Sequence, residues 1–565
     1  MCGIVGGIGC LDHRTRRWLL DAQRARGPDG EGWFEGEGFF LGIRRLAIIS
    51  PTGPDGPYAD QTKRVWVVMN GEIYNEPELR SELSMRHQFS THVDSELLVH
   101  AYVEWGADFV NRLNGVFSFA LVDLRVRRLL IARDRFGTRP LFWRRIRDCV
   151  LVASSARALA KIPSLGCDVS TEGLAEFLMR QSIAPPRTAF RDVHALCPGE
   201  MLSWVDQAGE LRADSRRYWR LGEQPVRVRH SDGPSLGAVI GLACQRQRRS
   251  DRQRGLALSG GIDSGLLASY VGESQLSHTA YCLNTGALSE VPFARSIATA
   301  FGIQLEELML PTDLGAAVMA WISHADHQPP CDGLNTYLLC ASLPADVVTL
   351  FVGTGADELF HGYAELDAVV DRRSPSDTVS AFLRATALFP VEVVRGLVGR
   401  WGIDAGELAW SIADSVRAEI PDLEQCDSHE VLRLLLVHGY LGPRLLADSD
   451  TYSMASGVEL RVPYLDNDVA EFAFAIPYSQ MVGEGPSAGK LHLRELGAER
   501  GIPVDVLRRR KQGFTLPYGE LVGLLPDTQH SLNLPAEHVA APYRTWAWAV
   551  FCEWLRLETG TNLLE

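Results

Sequence analysis

Lysine is nearly absent from this chain. Of its 56 basic residues only four are lysine, Lys63, Lys161, Lys490 and Lys511, in a sequence of 565 residues. Arginine supplies the rest, so each retained lysine marks a place where a compact ammonium is worth examining. No apolar run reaches the roughly 18 residues of a membrane helix, and no charged-then-apolar leader opens the chain. The eleven cysteines include no CxxC pair and no His/Cys cluster. That pattern excludes a zinc ribbon and a disulfide framework, and it points to a reducing cytoplasm. The net charge of −14 argues against nucleic acid or an anionic membrane as the main partner.

What is present begins at the first residues, Met1-Cys2-Gly3-Ile4-Val5. Removal of Met1 leaves a cysteine with a free α-amine beside its own thiol. An α-amine titrates near pH 8, so it can take the thiol proton and make one residue both nucleophile and base.

The length predicts at least two domains. Residues 1–205 read as mostly β with two short helices, and a two-sheet sandwich with covering helices fits. Strands are expected at 65–69, 117–122, 129–132, 150–153 and 200–205, a helix at 94–105, and a tight turn at Asn70-Gly71. Residues 206–230 are polar without a period and read as a linker. Residues 231–565 form the second domain. It opens with strand–helix alternation, the signature of a parallel α/β sheet, with strands at 255–258, 279–283, 305–308 and 347–352. From about 375 the pattern is helical.

Amide cleavage by Cys2 needs oxyanion donors and a grip on the substrate's charged ends. Asn70 offers a side-chain amide and Gly71 a backbone N–H. Arg45 can fork onto a carboxylate, and Asp94 at a helix start can hold an ammonium. Together with Arg26-Gly27-Pro28-Asp29, Glu72-Ile73-Tyr74-Asn75, Ser95-Glu96 and Asp134-Arg135-Phe136-Gly137, these residues resemble the glutaminase domain of class II glutamine amidotransferases. Those domains are αββα N-terminal-nucleophile (Ntn) hydrolases. The resemblance implies Cys2 as nucleophile, Asn70 and Gly71 as oxyanion hole, Arg45 for the glutamine carboxylate, and Glu72 and Asp94 for its amine.

Ser259-Gly260-Gly261-Ile262-Asp263-Ser264 follows an apolar strand and opens a helix. Its glycines and free helix N–H groups suit phosphate, and Asp263 is a hard ligand for Mg²⁺. The loop lacks the Gly-Lys-Ser/Thr of a Walker motif and resembles the pyrophosphate loop of ATP pyrophosphatases. Gly353-Thr354-Gly355-Ala356-Asp357-Glu358 follows the strand at 347–352. That places Asp357 at the carboxyl edge of the sheet, where it can share Mg²⁺ with Asp263. With Gly457-Val458-Glu459-Leu460-Arg461-Val462-Pro463-Tyr464-Leu465-Asp466, the second half resembles an asparagine synthetase of a divergent branch. This implies an ATP and pyrophosphate site at Leu258, Ser259, Gly260, Gly261, Asp263, Ser264, Gly353 and Lys490. Lys511 is implied to stabilise charge on the α-phosphate or the leaving pyrophosphate.

The implied activity is glutamine hydrolysis at Cys2, internal passage of ammonia, adenylation of a carboxylate by ATP and its amidation, with aspartate as the default acceptor. Two stretches depart from the family. Thr354 stands where a glutamate is usual, and 328–337 differs from the better-known aspartate-binding pattern; both bear on the acceptor. His361 also replaces a usual glycine. Rival readings are amidation of another small acid, an intramolecular cyclase (disfavoured by intact Cys2, Asn70 and Asp94) and a non-catalytic binding protein. Nothing in the chain sets the oligomeric state; a homodimer is one form it allows.

Overall fold

The computed structural model describes residues 2–9, 11–207, 209–223, 233–273, 279–286, 289–370, 374–482, 489–509, 516–525 and 541–560. Among the described residues the strands are β1 (Cys2–Ile8), β2 (Gly30–Gly36), β3 (Phe39–Arg45), β4 (Tyr58–Ala59), β5 (Val65–Ile73), β6 (Gly115–Asp123), β7 (Arg128–Arg133), β8 (Phe142–Ile146), β9 (Cys149–Ala153), β10 (His194–Ala195), β11 (Glu200–Gln207), β12 (Glu210–Arg217), β13 (Gln253–Ala257), β14 (Thr279–Asn284), β15 (Gln304–Met309), β16 (Val347–Phe351) and β17 (Glu459–Arg461). They form three sheets, ordered β10-β8-β9-β1-β3-β2, β12-β11-β7-β6-β5-β4 and β15-β14-β13-β16-β17.

The first two sheets are antiparallel and stack face to face. Alternation along each strand explains the stacking. Ile4 and Ile8 of β1, Leu41 and Ile43 of β3, Val68 of β5 and Ala120 and Val122 of β6 fill the space between the sheets. The intervening residues point outward. Val65, Val67 and Met69 pack with Leu97, Leu98 and Ala101 of the helix Asp94–Trp105. Val5, Phe40 and Leu151 pack with Leu174 and Leu178 of the helix Thr171–Arg180. The result is the helix–sheet–sheet–helix layering implied by the resemblance.

The third sheet is parallel throughout. Strand order runs outward from β13 through β14 to β15 on one side and through β16 to β17 on the other. The connections therefore reverse between β13 and β16. In open α/β sheets that switch point is where ligands sit, beyond the carboxyl ends of the strands. Helices from Pro375–Ala385 onward form the extension expected from the sequence.

Four expectations need correction. Asn70-Gly71 is not a turn: β5 continues through it, with Asn70 opposite Ser118 and Gly71 opposite Phe117. Gly71 instead serves a close approach, with φ 134° and no room for a Cβ against the Val116 carbonyl. The first 205 residues hold five α-helices rather than two short ones. Residues 210–217, read as linker, form β12 and pair with β11 along their length. Part of that linker, 224–230, lies outside the described residues. The three-residue strand β17 went unnoticed because it is too short to show a period.

Candidate active sites

Cys2 starts β1, and its backbone nitrogen lies 3.1 Å from Asn70 Oδ1 on the facing sheet. Asn70 is fully buried. Its Nδ2 has no hydrogen-bond partner among the described residues. A buried amide donor left open beside a thiol is the element an oxyanion requires. A cavity of about 40 Å³ joins Cys2 to Arg45, Gly71, Glu72, Asp94 and Glu459. Burial pushes the Cys2 thiol above its ordinary value, opposed by the Leu46 N–H and Arg45 and assisted by Glu459. The thiol therefore rests protonated and needs a base.

Arg45 already uses its guanidinium. Nη2 donates to the carbonyls of Ile49 (2.6 Å) and Ser50 (2.9 Å), and Nη1 donates to the Gly53 carbonyl (3.1 Å) and Asp55 (3.3 Å). In this state it pins the loop at the cavity mouth. Asp94 accepts the Ile73 N–H at 2.9 Å. Burial pushes its carboxyl up to about 6 against that hydrogen bond. Glu72, at the edge of the cavity, pairs with Arg461 of β17. Burial raises it, Arg461 pulls the other way, and Glu459 and Asp94 add to the rise. Glu459 and Arg461 thus come from the distant half of the chain, and only the motif 457–466 hinted at them.

At the switch point a cavity of about 800 Å³ is lined by Leu258, Ser259, Gly261, Asp263, Ser264, Gly353, Thr354, Asp357, Glu358 and Lys490. Gly260 lies in the same loop, where its carbonyl accepts from Arg509 Nη1 at 3.4 Å. Ser264 caps the turn through the Gly261 carbonyl, 3.2 Å away. The helix Ile262–Glu273 begins there, and its first residues Ile262, Asp263 and Ser264 line the cavity.

Asp263 and Asp357 are brought together by Lys490, whose Nζ lies 2.6 Å from Asp263 Oδ2 and 2.7 Å from Asp357 Oδ1. Burial opposes the Lys490 charge, but the two carboxylates outweigh it and hold the ammonium above the ordinary lysine range. Gly362 lets them meet, because a Cβ there would overlap Asp357 and press on Lys490. Lys490 has φ 60°, a left-handed conformation that a non-glycine residue keeps only when its surroundings compel it. His361 also sits in that region, at φ 58°. Its buried ring lies 2.7 Å from Asp367. Lys511 lies outside the described residues.

The same cavity carries Asp332 from the divergent stretch 328–337, Glu358 from the motif after β16, and Asp448, which the sequence did not single out. Arg444 Nε is 2.5 Å from Asp332 Oδ2. The Asp332 N–H donates to Asp448 at 3.1 Å. Tyr363 donates to Glu358 at 2.6 Å. Burial pushes the Asp448 carboxyl well up, with Asp332 adding and Arg444 opposing.

An Ntn-type sandwich carrying a half-buried thiol and open amide donor, joined to a parallel sheet with a glycine-rich loop at its switch point, defines a glutamine-dependent carbon–nitrogen ligase. Residues 1–219 match the glutamine amidotransferase domain and residues 236–536 match asparagine synthase, so the chain belongs to the asparagine synthase family. It is 27% identical over 530 residues to asparagine synthetase [glutamine-hydrolyzing] 1 of Bacillus subtilis, covering 87% of this chain and 82% of the relative. Asparagine synthetase [glutamine-hydrolyzing] 3 of the same organism is 26% identical over 568 residues, covering 91% and 87%. Asparagine synthetase [glutamine-hydrolyzing] 3 of Arabidopsis thaliana is 28% identical over 428 residues, covering 72% and 68%. The first match runs past residue 205 and takes in β12.

Proposed function

We propose that the protein makes asparagine from aspartate, with glutamine as nitrogen donor and ATP cleaved to AMP and pyrophosphate. With Met1 removed, the Cys2 amine takes the thiol proton, and the thiolate adds to the glutamine side-chain amide. Asn70 Nδ2 and the Gly71 N–H receive the oxyanion. The adduct expels ammonia and leaves a thioester, which water cleaves to glutamate. Arg45 binds the glutamine carboxylate, and Asp94, assisted by Glu72, its amine.

Ammonia reaches the second site inside the protein. There an aspartate side-chain carboxylate oxygen bonds to the α-phosphorus of ATP and pyrophosphate leaves. Ammonia then bonds to the acyl carbon, its nitrogen gives up a proton to solvent, and AMP leaves with its electron pair. The glycine-rich loop at 259–261 holds phosphate through backbone N–H groups, and Lys490 neutralises charge beside it. Lys511 is assigned to the α-phosphate or pyrophosphate.

Mg²⁺ in phosphate sites is held by one or two carboxylates together with phosphate oxygens and water. Asp263 and Asp357 fit that description, since both reach one point in space, the Lys490 ammonium. Among the described residues no group of three or more His, Cys, Asp or Glu assembles a metal centre without phosphate. Bound there, Mg²⁺ would supply positive charge to the phosphates.

The observation that carries the reading is the meeting of Asp263, Lys490 and Asp357 at the switch point. For the acceptor, Asp332, Asp448 and Glu358 line the cavity beyond Thr354. They offer the carboxylate function that Thr354 lacks, and Arg444 pairs with Asp332 beside them. ATP–pyrophosphate exchange across a panel of small carboxylic acids tests the reading. Aspartate should give the fastest exchange; exchange with another acid alone, or with none, overturns it.

A further inference from the structure

One residue touches both sites. Arg461 is fully buried, at the end of β17. Its Nη2 pairs with Glu72, the neighbour of Gly71, and its Nε lies 2.6 Å from Glu459, which lines the Cys2 cavity. The remaining donors are anchored on the segment that leads into β13, Nη1 on the Gln247 carbonyl at 3.2 Å and Nη2 also on the Arg249 carbonyl at 3.3 Å. Its backbone belongs to the ATP sheet. Arg461 stands opposite Phe351 of β16. Its carbonyl accepts the Val352 N–H at 2.9 Å, one residue before Gly353 and two before Thr354. A shift of the Arg461 side chain that follows Glu72 must therefore be absorbed by the strand end that carries the loop 353–357. A buried guanidinium cannot simply let go of its carboxylates, because a buried charge left unpaired is costly.

We infer that Arg461 is a positioning residue that couples the glutamine site to the ATP site, so that occupancy of one changes affinity at the other. This rests on the assignment of the two sites made above. Glutamine's amine arriving beside Glu72 and Asp94 redistributes the carboxylate charge that Arg461 now holds. The guanidinium follows, and the carbonyl that fixes Val352 moves with it. Coupling through a single element of this kind typically amounts to about 5- to 150-fold in affinity, and it must be reciprocal.

The test uses the full chain with Cys2→Ala, which binds glutamine without consuming it. ATP affinity is measured by calorimetry with Mg²⁺, with and without saturating glutamine. Glutamine should tighten ATP about fivefold or more in this parent. Adding Arg461→Lys, which keeps the charge but loses the fork, should bring the ratio close to one. Adding Glu459→Gln, a nearly isosteric change at the other carboxylate beside Arg461, should do the same, and it carries the test if Arg461→Lys does not fold. A ratio of one in the parent, or a ratio that survives in the folded variants, overturns the inference. A merely structural role would weaken ATP binding equally with and without glutamine, leaving the ratio in place. The functional reading is judged separately, by pyrophosphate release from ATP, aspartate and ammonia in the Cys2→Ala parent. If release is absent while the ratio behaves as stated, the reaction assignment fails and the coupling stands.

Discussion

Around Cys2 the cavity is about 40 Å³ and the parts already touch: nitrogen to Asn70, Asn70 amide open, Arg45 seated on loop carbonyls. Around Asp263 the cavity is about 800 Å³, and its main feature is an ion triplet in which Lys490, open to competition by phosphate, holds two carboxylates that Mg²⁺ would compete for. The first site is made by strands of two facing sheets, whose pairing fixes positions before any substrate arrives. The second is made by loops after β13 and β16 and by a residue 227 positions from Asp263. Preorganised donors suit a small neutral amide that becomes an oxyanion. An exchangeable set of counter-charges suits a polyanion that must be bound, cleaved and released.

The largest expected effect separates the two sites outright. Cys2→Ala should lower glutamine-dependent amide formation by roughly 10⁴-fold or more, the scale on which a covalent nucleophile is lost. Ammonia-dependent formation should stay near wild type. Comparable losses with both nitrogen sources, in a variant with an unchanged melting temperature, would join what the geometry separates.

The next effects sharpen the contrast from each side. Asn70→Ala removes the open buried amide and should cost glutaminase activity about 10²–10³-fold while sparing pyrophosphate release. Asp263→Asn should do the reverse, costing pyrophosphate release about 10²–10³-fold while sparing glutamine hydrolysis. Lys490→Ala removes the cation that Mg²⁺ must displace from Asp263 and Asp357, so its residual pyrophosphate release should half-saturate at markedly lower Mg²⁺. A Mg²⁺ dependence equal to wild type would show that the triplet is not where the cation acts.

Much of this division is legible in the sequence because it is local. The glycine-rich loop after β13 and the strand before Gly353 can be read from short windows, and so can the alternation of β6 and β7. What was lost is what pairing decides. Asn70-Gly71 has the composition of a hairpin turn, yet ladder bonds to β6 carry the strand straight through it. Residues 210–217 are polar because β12 is an edge strand with most side chains in solvent, and solvent-facing strands resemble linkers. Glu72 keeps its proposed place beside glutamine's amine, but the pair it already makes was not legible. Its partner Arg461 is remote in sequence, and no local pattern announces a buried ion pair across that distance.

A smaller effect concerns pH. Burial brings Asp94 up to about 6. The ionised carboxylate is the form that holds an ammonium, so the competent form is lost as pH falls through that value. For glutamine hydrolysis, kcat/KM should therefore fall about tenfold per unit below roughly pH 6, following the free protein. Ammonia-dependent synthesis should lack this limb. Asp94→Asn should lower kcat/KM and flatten it; a limb that persists in that variant would assign the titration to another group.

The smallest effect, and the most informative about the acceptor, belongs to Thr354. Asp332, Glu358 and Asp448 are among the carboxylates that line its cavity, and Arg444 is already beside Asp332. A further acid would meet like charge in a partly desolvated place, where an unpaired carboxylate is costly. With aspartate as acceptor, Thr354→Glu should therefore lower pyrophosphate release by a modest factor, mostly as a higher KM for aspartate, and leave glutamine hydrolysis alone. If aspartate turns over poorly in the wild type and Thr354→Glu improves it, the missing carboxylate was limiting. The neutral threonine would then mark a pocket shaped for an acid that carries less charge than aspartate. If aspartate is the best acid in the wild type and the variant is worse, the neighbouring carboxylates have taken over the role. The departure at 354 would then be a relocation of charge within one cavity rather than a change of substrate.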